Sequence, residues 1–419
     1  MRLNHLVSAF LVCMHSASTA GADPLPPHLD LELSGVEYQS LLRDQPRLLE
    51  DEQSSASSRL LQVVLNAGKR NLDWLAHLNS RRSPANPLSL SSPETQIGYP
   101  IESPRIFNEV MVLDWFAQLR NEIPSSIAAI VLDGAPFASD AGMSDEDYIA
   151  AALKIDRIYQ LAARWILLDP WRSQLALRRK SDVRAYVALT SDPNLAARLA
   201  GFASLPDTER QLLLKHLFEL CFNSRSETAC RSELSQAQSR GELPAFYSRH
   251  LAGSQQVYSN FFTITKTRSD VRWSASDPLT ARVPFLDPKD STVLAFLQDN
   301  IEDEWKWNGW KLVLDFRPNW SWGLSRIVFK PGATPNVDGL AGNTITMDAN
   351  TPLTEYNVKW TIRHEYGHVL GFPDCYHEFW DSDLQAIVSY QLDITNLMCS
   401  RRGKLQEKHF DELKRVYFK

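Results

Sequence analysis

The sequence predicts an α+β protein, in which an all-α N-terminal domain (residues 23–262) precedes a domain of mixed helices and strands (residues 263–419). Two observations support this fold class. Apolar residues recur close to the helical period through most of residues 58–255. Beyond residue 260, short runs rich in β-branched and aromatic residues appear between helical segments. A chain of 419 residues also exceeds what one hydrophobic core usually organises, so we expect two domains.

Residues 1–22 have the pattern of a secretory signal peptide. A short, mildly basic start precedes the apolar stretch from Leu6 to Met14, and small residues that suit a cleavage site follow. The apolar stretch is too short to span a bilayer comfortably, and no later run approaches that length. We therefore expect a secreted protein, extracellular or periplasmic, with no membrane span in the mature chain.

The predicted all-α domain contains several amphipathic helices. One spans Ser58 to Leu78, and a Ser/Pro-rich loop or linker from Ser80 to Pro104 follows it. Ser144, with Asp147 three residues later, resembles a capping box at the start of a long helix. Two roles are open for this domain: a propeptide that is removed, or an accessory domain that is retained.

The predicted mixed domain contains short strands and, besides the helix around His364 that is discussed below, two further helices. The helices are expected at Ser291 to Trp307 and at about Leu405 to Tyr417. The strand candidates are Phe261–Thr265, Val271–Trp273, Trp310–Phe316, Ser325–Phe329 and Thr344–Met347. This order suffices for one small α+β domain.

Charge and cysteine content narrow the class of protein. The net charge is -6 and the basic residues are scattered among acidic ones, so we expect no nucleic-acid partner. Four cysteines remain once Cys13 leaves with the signal peptide, and an exported protein is expected to pair them. Of the three possible pairings, the one local in sequence joins Cys221 to Cys230 and Cys375 to Cys399.

The motif that indicates a catalytic metal site is His364-Glu365-Tyr366-Gly367-His368. Histidines at i and i+4 lie one turn apart on the same face of a helix, so both imidazoles can reach one metal ion. Glu365 can then address a water on that metal without being a ligand. Thr351 or Thr354 is expected to cap this helix. Gly371 stands where the helix should stop.

Three residues compete for the position of third metal ligand. Asp374 follows the helix closely, and two histidines with one aspartate leave a position open for water on a zinc ion. His377 and Glu378 are the alternatives if the loop runs differently. Gly371 and Pro373 argue against a continued helix that would present a glutamate.

The run from His364 to Asp374 resembles the metzincin clan of zinc endopeptidases, and aspartate in the last position is similar to the snapalysin family of small secreted bacterial proteases. Residues 396–399 resemble the Met-turn of that clan, which packs a methionine, here Met398, beneath the metal site. The resemblance covers roughly residues 265–419 and implies a metzincin-like catalytic domain: a twisted mixed sheet, an active-site helix and a C-terminal helix. It further implies that Thr344–Met347 forms the upper rim of the substrate cleft, and that residues 400–402 border a side-chain pocket.

The expected function is zinc-dependent hydrolysis of peptide bonds in a protein or peptide substrate. His364, His368 and Asp374 would hold Zn²⁺, and Glu365 would act as general base and then as general acid. Tyr390 and Tyr417 are candidates for stabilising an oxyanion. Two alternatives stay open: a secreted binding protein with a structural zinc site, and a zinc amidase that acts on cell-wall peptides.

Overall fold

The structure, a computed structural model, describes residues 26–43, 56–83, 86–90, 98–321 and 323–419. The predicted signal peptide therefore lies outside the described residues. The fold is a mixture of helices and strands, as the sequence predicts. The last helix of the helical half ends at Asn260, and the first strand of the mixed region begins at Arg272, close to the predicted domain boundary.

The helices are α1 (Gly35–Arg43), α2 (Ala56–Asn79), α3 (Glu109–Glu122), α4 (Ser125–Val131), α5 (Asp145–Leu168), α6 (Arg172–Arg178), α7 (Arg184–Thr190), α8 (Leu195–Ala200), α9 (Asp207–Phe222), α10 (Glu227–Arg240), α11 (Leu243–Asn260), α12 (Ser291–Leu297), α13 (Tyr356–Val369) and α14 (Glu407–Tyr417). The strands are β1 (Arg105–Phe107), β2 (Arg272–Ser274), β3 (Asp277–Leu286), β4 (Lys306–Trp307), β5 (Trp310–Arg317), β6 (Arg326–Lys330), β7 (Asn336–Val337), β8 (Thr344–Asp348), β9 (Tyr376–Asp381) and β10 (Ala386–Gln391).

Local signals place the helices of the first half largely where the sequence predicts them. The side chain of Ser144 accepts a hydrogen bond from the backbone N–H of Asp147 at 3.1 Å and so caps α5. Cys221 and Cys230 form a disulfide between α9 and α10, which is the predicted local pairing. No helix in the described ranges is both long and apolar enough to cross a membrane.

The strands of the second half run both parallel and antiparallel. One sheet has the order β2-β3-β5-β4, with β3 and β5 parallel, and another has the order β6-β8-β7, with β6 and β8 parallel. The backbone N–H of Leu286 at the end of β3 donates to the carbonyl of Ser325, 2.7 Å away, next to β6. The two sheets are therefore joined edge to edge at this point.

A third sheet connects the two halves of the chain. Its order is β1-β10-β9, and β1 pairs antiparallel with β10 so that Arg105 lies opposite Ser389. Trp380 and Ile387, from β9 and β10, are buried in the same apolar cluster as residues of α1, α2 and α5. The helical half thus shares a sheet and a core with the mixed half.

Three sequence expectations about individual elements are wrong. Phe261–Thr265 is not a strand, because the N–H groups of residues 261 and 262 bond back to carbonyls at the end of α11. The helix predicted to reach Trp307 gives way to a π-helical turn at Gln298–Glu302, and Trp307 lies in β4. The region predicted to be all-α, residues 23–262, contains strand β1, which pairs with β10.

Candidate metal centre

Helix α13 presents both histidines of the HEYGH motif on one face. The ring centroids of His364 and His368 are 4.8 Å apart, and both side chains are buried. The predicted threonine cap does not form, because Glu355 is the N-cap residue and Thr351 instead donates a hydrogen bond to Asp348. The apolar face of the helix, rather than a threonine cap, positions it against the core.

Asp374 is brought to the two histidines by the turn that ends α13. Gly371 has φ of +96°, in the left-handed region that glycine adopts readily, and the chain reverses there. Asp374 Oδ1 then lies 3.2 Å from His364 Nε2 and 3.3 Å from His368 Nε2. One carboxylate oxygen thus lies within 3.3 Å of both imidazole nitrogens.

The arrangement fits a zinc ion. His364 Nδ1 is 2.9 Å from the carbonyl oxygen of Leu397, and His368 Nδ1 is 2.9 Å from that of Phe372. Each Nδ1–H donates to its carbonyl, which leaves the Nε2 lone pair directed at the site. Ligand atoms about 2.0–2.1 Å from a tetrahedral zinc are separated by about 3.3 Å, which the spacing from Asp374 to the two histidines matches.

The loop beneath the histidines is fastened to α13. Met398 is buried, and a Cβ added to Gly367 would lie 2.2 Å from its Sδ, so the methionine packs directly under the helix between the two histidines. The disulfide between Cys375 and Cys399 ties the residue after Asp374 to the residue after Met398, as the local pairing predicts. Met398 therefore lies beneath the turn of α13 that carries the two histidines.

Glu365 is buried beside the histidines. Burial raises the pKa of Glu365, and the charges of His368 and His364 oppose that rise. A carboxylate with a raised pKa is suited to take and return a proton near neutral pH.

Of the three residues weighed as third ligand, only Asp374 is at the site. His377 is buried elsewhere, with Nε2 3.0 Å from the carbonyl of Arg178, and burial lowers its pKa to about 4. Glu378 accepts two hydrogen bonds from the buried guanidinium of Arg164, at 2.6 and 2.9 Å. Successive residues of β9 point to opposite faces, and both side chains have partners in the helical half.

The two tyrosines proposed for an oxyanion are engaged elsewhere, and a different tyrosine is near the site. Tyr390 OH donates to Asp182 at 2.9 Å, and Tyr417 OH donates to the carbonyl of Leu370 at 2.7 Å. Tyr376, two residues after Asp374, has its hydroxyl 3.3 Å from His28 Nε2. Sequence position alone could not distinguish these tyrosines.

The sequence interpretation missed His28. Its Nε2 is 3.2 Å from Asp374 Oδ2 and 3.3 Å from the hydroxyl of Tyr376. Ligand atoms of His28, His368 and Asp374 all lie within 4.8 Å of one another. The charge of Asp374 raises the pKa of His28.

Residues 26–34, which we call the N-terminal segment, place His28 there. Within it, leucines alternate with polar residues from His28 to Leu33, a period-two pattern typical of extended chain with one buried side. Leu29, Leu31 and Leu33 are 5%, 2% and 1% exposed. That alternation was the available sequence signal.

The N-terminal segment also changes the reading of the loop after Met398. Arg401, in the loop expected to border a side-chain pocket, is only 2% exposed and donates to Asp30 at 2.9 Å and Glu37 at 3.0 Å. Glu32 accepts hydrogen bonds from Ser400 Oγ at 2.9 Å and from the backbone N–H of Arg401. The loop predicted to border a substrate pocket is thus covered by the protein's own acidic segment.

Attraction between the carboxylate of Asp374 and the neighbouring histidines dominates the electrostatics of the site. Burial by itself raises the pKa of Asp374, but the charges of His368 and His28 outweigh it and hold that pKa well below its usual range. Burial alone would lower the pKa of His364, whereas the hydrogen bond and charge of Asp374 raise it to about 10. A divalent cation would replace these protons as the partner of Asp374.

In comparisons with protein-family models, curated proteins and solved structures, the chain matches none of them. The geometry of the site therefore carries the functional argument by itself.

Proposed function

We propose that this protein is a secreted zinc-dependent endopeptidase with a metzincin-like catalytic region. The observation that carries the proposal is the placement of His364 Nε2, His368 Nε2 and Asp374 Oδ1 at zinc-ligand spacing, with Glu365 beside them on the same helix. Both Nδ1 atoms are already committed to backbone carbonyls, which favours metal binding through Nε2.

The mechanism follows from these positions. His364, His368 and Asp374 would hold the ion, which when bound supplies Lewis acidity to the substrate carbonyl and acidifies water. Glu365 takes the proton of the attacking water and then returns it to the leaving amine. Tyr376, whose hydroxyl is 3.3 Å from His28 Nε2, would donate a hydrogen bond to the carbonyl oxygen as negative charge develops there.

A cavity next to the site offers room for a substrate side chain. Its volume is about 450 Å³, and it lies between the N-terminal segment, helices α1, α2 and α5, strand β8 and the first turns of α13. Leu33, Met347 and Val358 give it apolar walls, and Thr361 lies one turn before His364. This size is in the range of small-ligand sites, so we expect an apolar side chain to be accommodated there.

Export is part of the proposal. The two disulfides fit an oxidising compartment, and the described helices include none suited to span a membrane. The signal-like pattern of residues 1–22 completes the case for secretion.

A structural zinc site in a secreted binding protein is the second candidate. One observation favours it: ligand atoms of His28 lie within 4.8 Å of those of His368 and Asp374, so His28 would add a fourth donor to the three proposed ligands, and structural zinc sites have four. Glu365 favours the enzyme, because a structural site needs no buried carboxylate beside its ligands.

The test compares the protein with Glu365→Gln. We expect one zinc per chain in both and hydrolysis of a quenched peptide library only in the unaltered protein. Matched zinc content with no peptide cleavage by either would favour the structural site, and cleavage of cell-wall cross-linking peptides alone would favour the amidase.

A further inference from the structure

The N-terminal segment is held against the metal centre by both halves of the protein. The buried guanidinium of Arg164 donates to the carbonyl of Leu29 at 3.1 Å and to that of Asp30 at 2.9 Å. On the other side, Arg401 Nε donates to the Asp30 carboxylate at 2.9 Å. The two residues that directly follow His28 are therefore fixed in backbone and in side chain.

This anchoring determines where His28 points. The leucines at 29, 31 and 33 are buried in the core, whereas the side chains at 28, 30 and 32 contact Asp374, Arg401 and Ser400, respectively. His28 Nε2 reaches Asp374 Oδ2 at 3.2 Å, and its ring centroid is 6.5 Å from that of His368. The His28 side chain is 67% exposed, so it approaches from the solvent side, opposite α13.

We infer that His28 is a fourth protein ligand of the metal ion. The inference rests on the metal site proposed above. Its carrying observation is that donor atoms of His28, His368 and Asp374 converge within 4.8 Å, while the chain on the C-terminal side of His28 is held by two buried arginines.

Four protein donors have a consequence for reactivity. A catalytic zinc keeps one position for water, whereas a site with four protein ligands is closed. His28 approaches from the solvent side, so a metal held by all four residues would be closed to water until His28 moves away. Residues 29–33 are buried or hydrogen-bonded, so opening requires displacement of His28 itself and leaves the rest of the segment in place.

A competing explanation makes His28 only an ion-pair partner of Asp374. The two explanations differ in coordination: an ion-pair partner is protonated and does not touch the metal, whereas a ligand is neutral and bonds to it. Substituting Co²⁺ for Zn²⁺ makes that difference visible, because cobalt absorption reports the identity and number of its ligands. A thiolate bonded to cobalt adds an intense charge-transfer band in the near ultraviolet.

The first experiment uses the full mature chain as His28→Cys, loaded with Co²⁺. We expect the sulfur-to-cobalt band in this variant and its absence in His216→Cys, a matched control on α9. Bound cobalt is quantified in each sample. A His28→Cys protein that holds one cobalt without the band overturns the inference.

The second experiment measures Zn²⁺ affinity by chelator competition. We expect His28→Ala to weaken binding by about tenfold or more, His364→Ala to abolish it, and His216→Ala to leave it unchanged. Loss of binding in His364→Ala with unchanged affinity in His28→Ala overturns only the fourth-ligand assignment. Unchanged affinity in His364→Ala overturns the metal site and this inference together.

Discussion

Replacing Arg401 with methionine should remove the ion pairs that hold the N-terminal segment against the loop that follows Met398. The guanidinium is 2% exposed and lies between the carboxylates of Asp30 and Glu37, each of which is 19% exposed. Methionine retains much of the side-chain volume but removes the charge and every donor. Two largely desolvated carboxylates would then face each other without a cation.

The magnitude follows from the burial of this cluster. Removing one partner from a buried ion pair typically costs about 3–5 kcal/mol, because the remaining charge is left uncompensated. We expect Arg401→Met to lower the free energy of unfolding by this amount. Glu37→Gln in the same background should recover part of the loss, since one of the two stranded charges is removed.

The assay is urea unfolding at neutral pH, with Arg402→Met as the control. Arg402 is the adjacent residue and is exposed, so its replacement should change stability by less than about 1 kcal/mol. Equal effects of the two substitutions would refute the reasoning, because burial of Arg401 would then contribute nothing.

Three further predictions concern buried groups. Burial raises the pKa of Asp156 from 3.8 to about 6, so the folded state binds this proton more tightly and the free energy of unfolding falls as pH rises between these values. Asp156→Asn should therefore raise the free energy of unfolding by up to about 3 kcal/mol at pH 8 and by little at pH 4, and parallel pH profiles of the two proteins in urea unfolding would contradict this. Gly367→Ala should cost about 1–3 kcal/mol by overpacking against Met398, and less in a Met398→Ala background; an equal thermal-unfolding cost in both backgrounds would exclude that contact. Replacing Cys375 and Cys399 by alanine should cost about 3.5 kcal/mol and also weaken zinc binding, whereas removing the disulfide of the helical half should affect stability alone in the same two assays.

The active-site helix could be predicted from sequence because its signals are local. The histidine spacing and Gly371 lie within about two turns of one helix, whose apolar face is equally local, and α13 ends where the glycine predicts. The disulfide partners are 9 and 24 residues apart, short enough for the local pairing to hold. Asp374 lies within the reach of the same turn.

The rest of the candidate site depends on contacts between distant parts of the chain. His28 is 346 positions before Asp374 in the sequence, and its side chain reaches the site only because Arg164 and Arg401 hold the residues after it. The spacing of residues along the chain contains no information about such a contact. The same is true of strand β1, which lies just beyond a stretch that reads as a Ser/Pro-rich linker.

The pairing of β1 with β10 has a consequence for how the protein reaches its native state. Arg105 and Ser389 are hydrogen-bonding neighbours although 284 residues separate them, so this sheet cannot form until nearly the whole chain has been synthesised. Contacts of such high sequence separation slow folding, because a long loop must be closed before they are formed. A C-terminal fragment made alone would leave the edge of β10 and the apolar side chain of Ile387 uncovered, and would be prone to aggregate. The helical half therefore supplies both the strand that pairs with β10 and the apolar surface that covers Ile387.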